Sequence, residues 1–186
     1  LKEQGDDVIG LMMKFPEFEN TENTCCGIKG IDDARRVANA IGIPFYVLNF
    51  EKEFKENVID MFCKEYLNSR TPNPCIICNE KLKFVILLNK ANDLFADYIA
   101  TGHYATLIKI NNTYAIEKAK DIKRDQSYFL FSINKILLSK ILFPLSNLTK
   151  EEVREKAKRF NLKVFDKPGS QDICFIADND YRNFLS

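Results

Sequence analysis

"IDDARRVANAIGIPFYVLNF", residues 31–50, is the stretch that decides the fold. Residues 31–42 read as a helix, with Asp32 or Asp33 at its start and Gly42 as its stop. "IPFYVLNF" (43–50) reads as a strand. Upstream, "DVIGLMM" (7–13) reads as an earlier strand, and "LKEQG" (1–5) as a helix tail ended by Gly5. A polar loop, 15–30, joins that strand to the helix. Downstream, residues 51–68 form a helix with Phe54, Val58, Phe62 and Tyr66 on one stripe. A proline-bearing loop at 71–79 leads into another helix over 80–95, and "DYIATG" (97–102) is a third strand. Strand, helix, strand, helix, strand predicts an α/β fold: a parallel sheet with helices on its faces.

The pattern then changes. "ATLIKI" and "TYAIEKA" flank Asn111-Asn112 and read as a hairpin. "LTKEEVREKAKRF" (148–160) opens with a capping box, Thr149 and Glu152, and carries Val153, Ala157 and Phe160 on one face. "FDKPGSQDICFI" (165–176) reads as a turn entering an apolar, strand-like run.

The 186 residues suit one domain, or one domain and part of a second. Hydrophobic residues make up 46% and charged residues 28%, enough for a core and a solvated surface. Net charge is +1 from 27 basic and 26 acidic residues, which neither demands nor excludes a nucleic-acid partner. No apolar run approaches the roughly 20 residues that span a bilayer, and no signal-peptide pattern opens the sequence. The six cysteines are Cys25, Cys26, Cys63, Cys75, Cys78 and Cys174. In a long, highly charged chain without an export signal they point to a reducing, cytoplasmic compartment, where a CxxC is metal-binding or catalytic. A zinc ribbon needs a second CxxC, which is missing, and with His103 as the only histidine no Cys2His2 site can form.

In a parallel sheet, ligands sit beyond the carboxyl ends of the strands. The loop after residue 13, the 71–79 loop and "TGHYA" (101–105) collect there. Gly102 would let a ligand approach the backbone, and His103 either donates to that ligand or is an ordinary, satisfied loop histidine. Cys63, beside the apolar helix stripe, reads as a buried small hydrophobe, and Cys25 and Cys26 carry no catalytic role.

"RTPNPCIICNEKLKF", "DYIATGHYA", "RDQSYFLF" and "SQDICFI" stand in the order seen in the tRNA-specific 2-thiouridylases, the MnmA/TrmU family of the PP-loop ATP pyrophosphatase group. The resemblance covers essentially the whole chain, including "DDARRVANAIGIPFYVLNF" and "LFPLSNLTKEEVREKA". It implies a tRNA-uridine 2-sulfurtransferase. ATP with Mg²⁺ adenylates the C2 oxygen of a wobble uridine, and a cysteine persulfide then delivers sulfur. Cys174 would carry the persulfide, and Cys78 would be the partner that releases product by forming a disulfide. Asn73, Pro74 and Cys75 match the segment that touches the target base. Met13 and Gly102 match nucleotide-binding positions. Arg124, Asp125 and Gln126 match a tRNA-contacting tripeptide, although a solvated basic loop is the plainer reading of "KAKDIKRDQ". His103 matches a position near the tRNA. The partners implied are tRNA and a sulfur-donor protein, with no membrane.

Two departures from the family stand out. Many members carry Asp where this chain has Cys75, and a thiol, with a reference pKa of about 8.5, cannot copy a carboxylate. The change makes Cys75, Cys78 and Cys174 a candidate donor set for a [4Fe-4S] cluster that would deliver sulfide without a persulfide. The family's phosphate loop, SGGxDS, would precede "LKEQG", and its β-rich domains would follow "DYRNFLS". The expectation is therefore an incomplete nucleotide-binding domain over 1–105 and a tRNA-contacting, catalytic-cysteine extension over 106–186, inactive alone. A non-catalytic interaction or cysteine-metal module derived from such an enzyme is the second reading.

Overall fold

The computed structural model describes residues 1–18, 28–165, 173–176 and 180–185. It is a mixed α/β structure with parallel strand pairs and flanking helices, resolved into two compact units: residues 1–72 with 156–186, and residues 73–155.

In the first unit, strand β1 (Gly10–Lys14) pairs in parallel with β2 (Phe45–Asn49), Gly10 opposite Phe45 and Lys14 opposite Asn49. The crossover is helix α1 (Ile28–Ile41), which Gly42 ends at φ +68°. Gly10 is required by close approach, because a Cβ there would meet the Phe45 ring at 3.1 Å and the Pro44 carbonyl oxygen at 3.4 Å. Helix α2 follows as Glu51–Phe54, a π-wound stretch Lys55–Ile59, and Asp60–Leu67. Its predicted stripe is the core: Phe54, Val58 and Phe62 are fully buried. Phe15 stacks on Phe54 at 4.3 Å, and Phe175 meets Phe54 and Phe62 edge-on at 5.7 and 5.3 Å. Residues 173–176 form a turn, closed by the Ile176 N–H on the Ile173 carbonyl, and not the expected strand. Their apolar character serves the aromatic cluster, where Phe175 is a plug rather than a rung of a ladder. The C-terminal helix α5 (Tyr181–Leu185) also belongs to this unit.

In the second unit, helix α3 starts at Pro74, six residues earlier than the 80–95 expected, and runs as Pro74–Ile77, π-wound Cys78–Ile86 and Leu87–Asp93. The prolines read as loop, but Pro74 occupies the first helical position, where a missing N–H costs nothing. Asn73 is the N-cap, its Oδ1 accepting the Cys75 N–H at 3.2 Å. Strand β3 (Ile99–Ala100) does not join the β1–β2 pair among the described residues. It pairs in parallel with β6 (Ile141–Leu142), a strand the sequence did not reveal. Between them lies the hairpin β4 (Thr106–Ile110) and β5 (Thr113–Glu117), with Asn111 and Asn112 at φ +45° and +66°, as a two-residue turn requires. Phe84, Leu88, Ile99, Ala105, Leu130, Ile141 and Phe143 form the centre of the core. Helix α4 (Lys150–Arg159), whose residues from Lys156 onward belong to the first unit, begins with the expected capping box: the Thr149 N–H donates to Glu152 at 2.6 Å and the Glu152 N–H to Thr149 Oγ1 at 3.2 Å. Among the described residues, no helix is long and apolar enough to cross a membrane.

Candidate active site

The first turns of α3 carry both thiols of the CxxC. Cys75 is half-buried and Cys78 is 7% exposed. Burial pushes the Cys75 thiol above its usual pKa, and the Lys83 ammonium, eight residues along the helix, pulls it back part of the way. Lys83 makes no ion pair among the described residues. Of the four described cysteines, Cys63, Cys75, Cys78 and Cys174, none is in a disulfide. Cys25 and Cys26 lie outside the described residues.

His103 is buried, with its ring 5.7 Å from Phe84 and 6.2 Å from Phe143. Its Nδ1 and the Thr101 hydroxyl share a hydrogen bond of 2.8 Å. Burial, and then Lys83, lower its pKa to about 3, so the imidazole is neutral at physiological pH. His103 can therefore donate or accept one hydrogen bond at a ring nitrogen, but it brings no cation to a polyanion.

The Arg124–Gln126 tripeptide divides its labour. Gln126 clamps Tyr104 twice: its Oε1 accepts the Tyr104 N–H at 3.0 Å, and its own N–H donates to the Tyr104 carbonyl at 2.8 Å. Asp125 accepts from the Ala119 N–H at 2.9 Å and from the Ser127 hydroxyl at 2.7 Å. Arg124 alone projects into solvent, without an ion pair among the described residues. Asn79, next to Cys78, is 3% exposed; its Nδ2 donates to the Phe129 carbonyl at 3.1 Å, while its Oδ1 is buried without a partner. That bond ties the thiol-bearing helix to the turn following the tripeptide.

Thus Asn73, Pro74, Cys75, Cys78, Gly102, His103, Arg124, Asp125 and Gln126 all belong to the second unit. Met13, on β1, and Cys174 belong to the first. Cys174 is half-buried and held beside the buried Phe175 plug. Among the described residues, a Cβ at Gly102 would meet only the Leu145 side chain, at 3.7 Å, so those residues leave the backbone there open to a close-approaching group. Among the described residues, no three His, Cys, Asp or Glu side chains gather as a metal-holding set.

Lys83 and Asn79 are the residues that reading the sequence missed. Lys83 stood in plain view, five residues after Cys78, but a lysine on a helix reads as a solvated face. Replacing it (Lys83→Met) is expected to raise the Cys75 pKa further and slow alkylation of Cys75 near neutral pH. Mass-spectrometric alkylation rates across a pH series measure this, and an unchanged profile would show that the ammonium does not act on the thiol.

A family model described as "tRNA methyl transferase HUP domain" matches residues 1–178. Over the whole chain, the sequence is 50% identical to a tRNA-specific 2-thiouridylase MnmA of Clostridium acetobutylicum and 50% identical to that of Halothermothrix orenii, covering 53% of each relative. A tRNA-specific 2-thiouridylase MnmA 2 of Clostridium tetani is 49% identical, again with 53% of its length covered. The chain thus spans about half the length of the curated relatives it matches. With a match that takes in all three strand pairs and the thiol-bearing helix, this chain belongs to the tRNA methyl transferase HUP domain family and is similar to the tRNA-specific 2-thiouridylases.

Proposed function

We propose that this chain supplies the nucleotide-binding and sulfur-transferring part of a tRNA-uridine 2-sulfurtransferase. The observation that carries the reading is the capped helix start at Asn73-Pro74, which places two thiols of unequal burial, Cys75 and Cys78, on one helix, with the Lys83 charge on that helix acting both on Cys75 and on a neutral, buried His103. Methyl transfer, the word in the family's description, is not what the relatives are named for; their names give thiolation, and the persulfide route to it uses two protein thiols, here Cys78 and Cys174.

Uridine O2 attacks the α-phosphorus of ATP, and pyrophosphate leaves; ATP is consumed and is a substrate. Met13 and the open backbone at Gly102 are assigned to the nucleotide, and Asn73, Pro74 and Cys75 to the base. The outer sulfur of a persulfide on Cys174 attacks C2. AMP then departs, carrying the former carbonyl oxygen. The Cys78 thiolate attacks Cys174 Sγ, breaking the sulfur–sulfur bond to the transferred atom. The products are 2-thiouridine and a Cys78–Cys174 disulfide, which an external thiol reduces. A donor protein reloads Cys174. Residues 1–105 are assigned to nucleotide binding and 106–186 to tRNA contact and the persulfide, with α3 serving both. In the helix, Lys83 favours anionic sulfur, and His103 offers a neutral hydrogen bond in a dry setting.

The test is incubation of a polypeptide carrying this chain with ATP, Mg²⁺, a sulfur donor and unmodified tRNA. The expected product is 2-thiouridine in the nucleoside digest. Methyl incorporation from a methyl donor, with no sulfur transferred, would overturn the reading.

A further inference from the structure

We propose that Tyr128 and Phe131 form a stacking platform for an unpaired tRNA base flanking the target uridine, an inference that rests on the tRNA reading above. The two rings lie side by side, centroids 6.1 Å apart and tilted by 41°, and are 64% and 68% exposed. Adjacent aromatic rings left in water forgo the burial that drives folding, so a fixed, exposed pair is a surface awaiting a partner.

The pair is held in place. Tyr128 lies in a 3₁₀ turn, Ser127–Leu130, and Phe131 is its C-cap, directly after Leu130, which is fully buried in the core. The Phe129 carbonyl between the two rings accepts the Asn79 side-chain amide, and Gln126, just before the turn, clamps Tyr104. Asn79 follows Cys78 directly in the chain. The platform is therefore tethered one hydrogen bond away from the helix turn that carries a thiol, which is where a neighbour of the reacting base has to lie.

Charge selects the occupant. Along the chain, Lys123 and Arg124 precede the rings and Lys135 follows them; all three are exposed and make no ion pair among the described residues. Exposed rings on a segment bounded by such cations suit a single-stranded polyanion, with bases on the rings and phosphates on the cations. A second copy of this chain would set like charges against each other across a two-fold interface.

The experiment is titration of a polypeptide carrying this chain with an anticodon stem-loop RNA having uridine at the wobble position, at several salt concentrations. Tyr128→Ala and Phe131→Ala are each expected to weaken binding by about five- to a hundredfold with the salt slope unchanged. Tyr128→Phe keeps most of the affinity, while Arg124→Ala lowers the slope by about one. Both rings are exposed, so the thermal melts should match wild type. Alanine variants that bind as wild type does would overturn the platform while leaving the tRNA reading intact. So would alanine variants whose only change is lost self-association on sedimentation, since the face would then be a protein contact. A wild-type polypeptide that binds no RNA would overturn both.

Discussion

Serine at Cys78, in a polypeptide carrying this chain, is expected to abolish 2-thiouridine formation by at least about a thousandfold, with tRNA affinity within a few fold of wild type. The exchange is nearly isosteric at a site that is 7% exposed, so packing survives. What is lost is the chemistry: a hydroxyl does not ionise near neutral pH and cannot form the disulfide that releases the product. Cys174→Ser removes the sulfur carrier itself and has an effect of the same size. Because the two thiols act as a unit, the double variant should be no worse than either single one. Cys63→Ser, a change on a half-buried thiol of α2, serves as the control and should keep full activity. Nucleoside analysis of tRNA from each reaction decides the matter. Normal thiolation by either the Cys78 or the Cys174 variant would eliminate the persulfide scheme.

A loss of about 2 kcal/mol in folding stability between pH 7 and pH 5 is expected, and His103 should account for it. In the unfolded chain the imidazole titrates near its ordinary 6.5, whereas burial holds it at about 3 in the fold. Between those values the unfolded state takes up a proton that the folded state refuses. Stability conferred by the neutral ring is therefore complete above about pH 6.5 and falls as the pH drops toward about 3. The assignment is clean because His103 is the chain's only histidine. The paired carboxylates of Glu51, Glu65 and Glu152 have lowered pKa values, so the stability they contribute is lost mainly as the pH falls through the ordinary carboxylate range of about 4, below most of this window. Urea unfolding at a series of pH values measures the slope. In His103→Gln the slope between pH 7 and 5 should largely vanish, whatever the variant's absolute stability. Equal stability of wild type at pH 7 and 5, or an imidazole NMR signal titrating near 6.5, would contradict a buried, neutral ring.

The start of α3 shows how far residue patterns carry and where they mislead. Asn73-Pro74 spelled an N-cap and a first helical position, but the two prolines around Asn73 suggested a loop instead. Register followed the cap: once the helix begins at Pro74, Cys75, Cys78 and Lys83 share one rigid element. The tripeptide was legible as a basic turn, yet only Arg124 is left facing solvent, because Asp125 and Gln126 are spent on backbone groups elsewhere in the chain.

The sequence by itself determined what neighbouring residues control. Glycine at φ +68° ended α1, the Asn111-Asn112 pair made the hairpin turn, the Thr149–Glu152 box started α4, and the Phe54–Val58–Phe62 stripe became a core. Each depends on backbone preference, a cap or a periodic apolar face, all confined to a few residues. Only the tertiary structure decided that β3 pairs with β6, that Asn79 reaches Phe129 fifty residues away, and that His103 is dry enough to stay neutral. A two-residue strand has too little periodicity to announce itself. A pKa depends on desolvation and on charges that packing gathers from distant positions, so neither is written in the local order of residues.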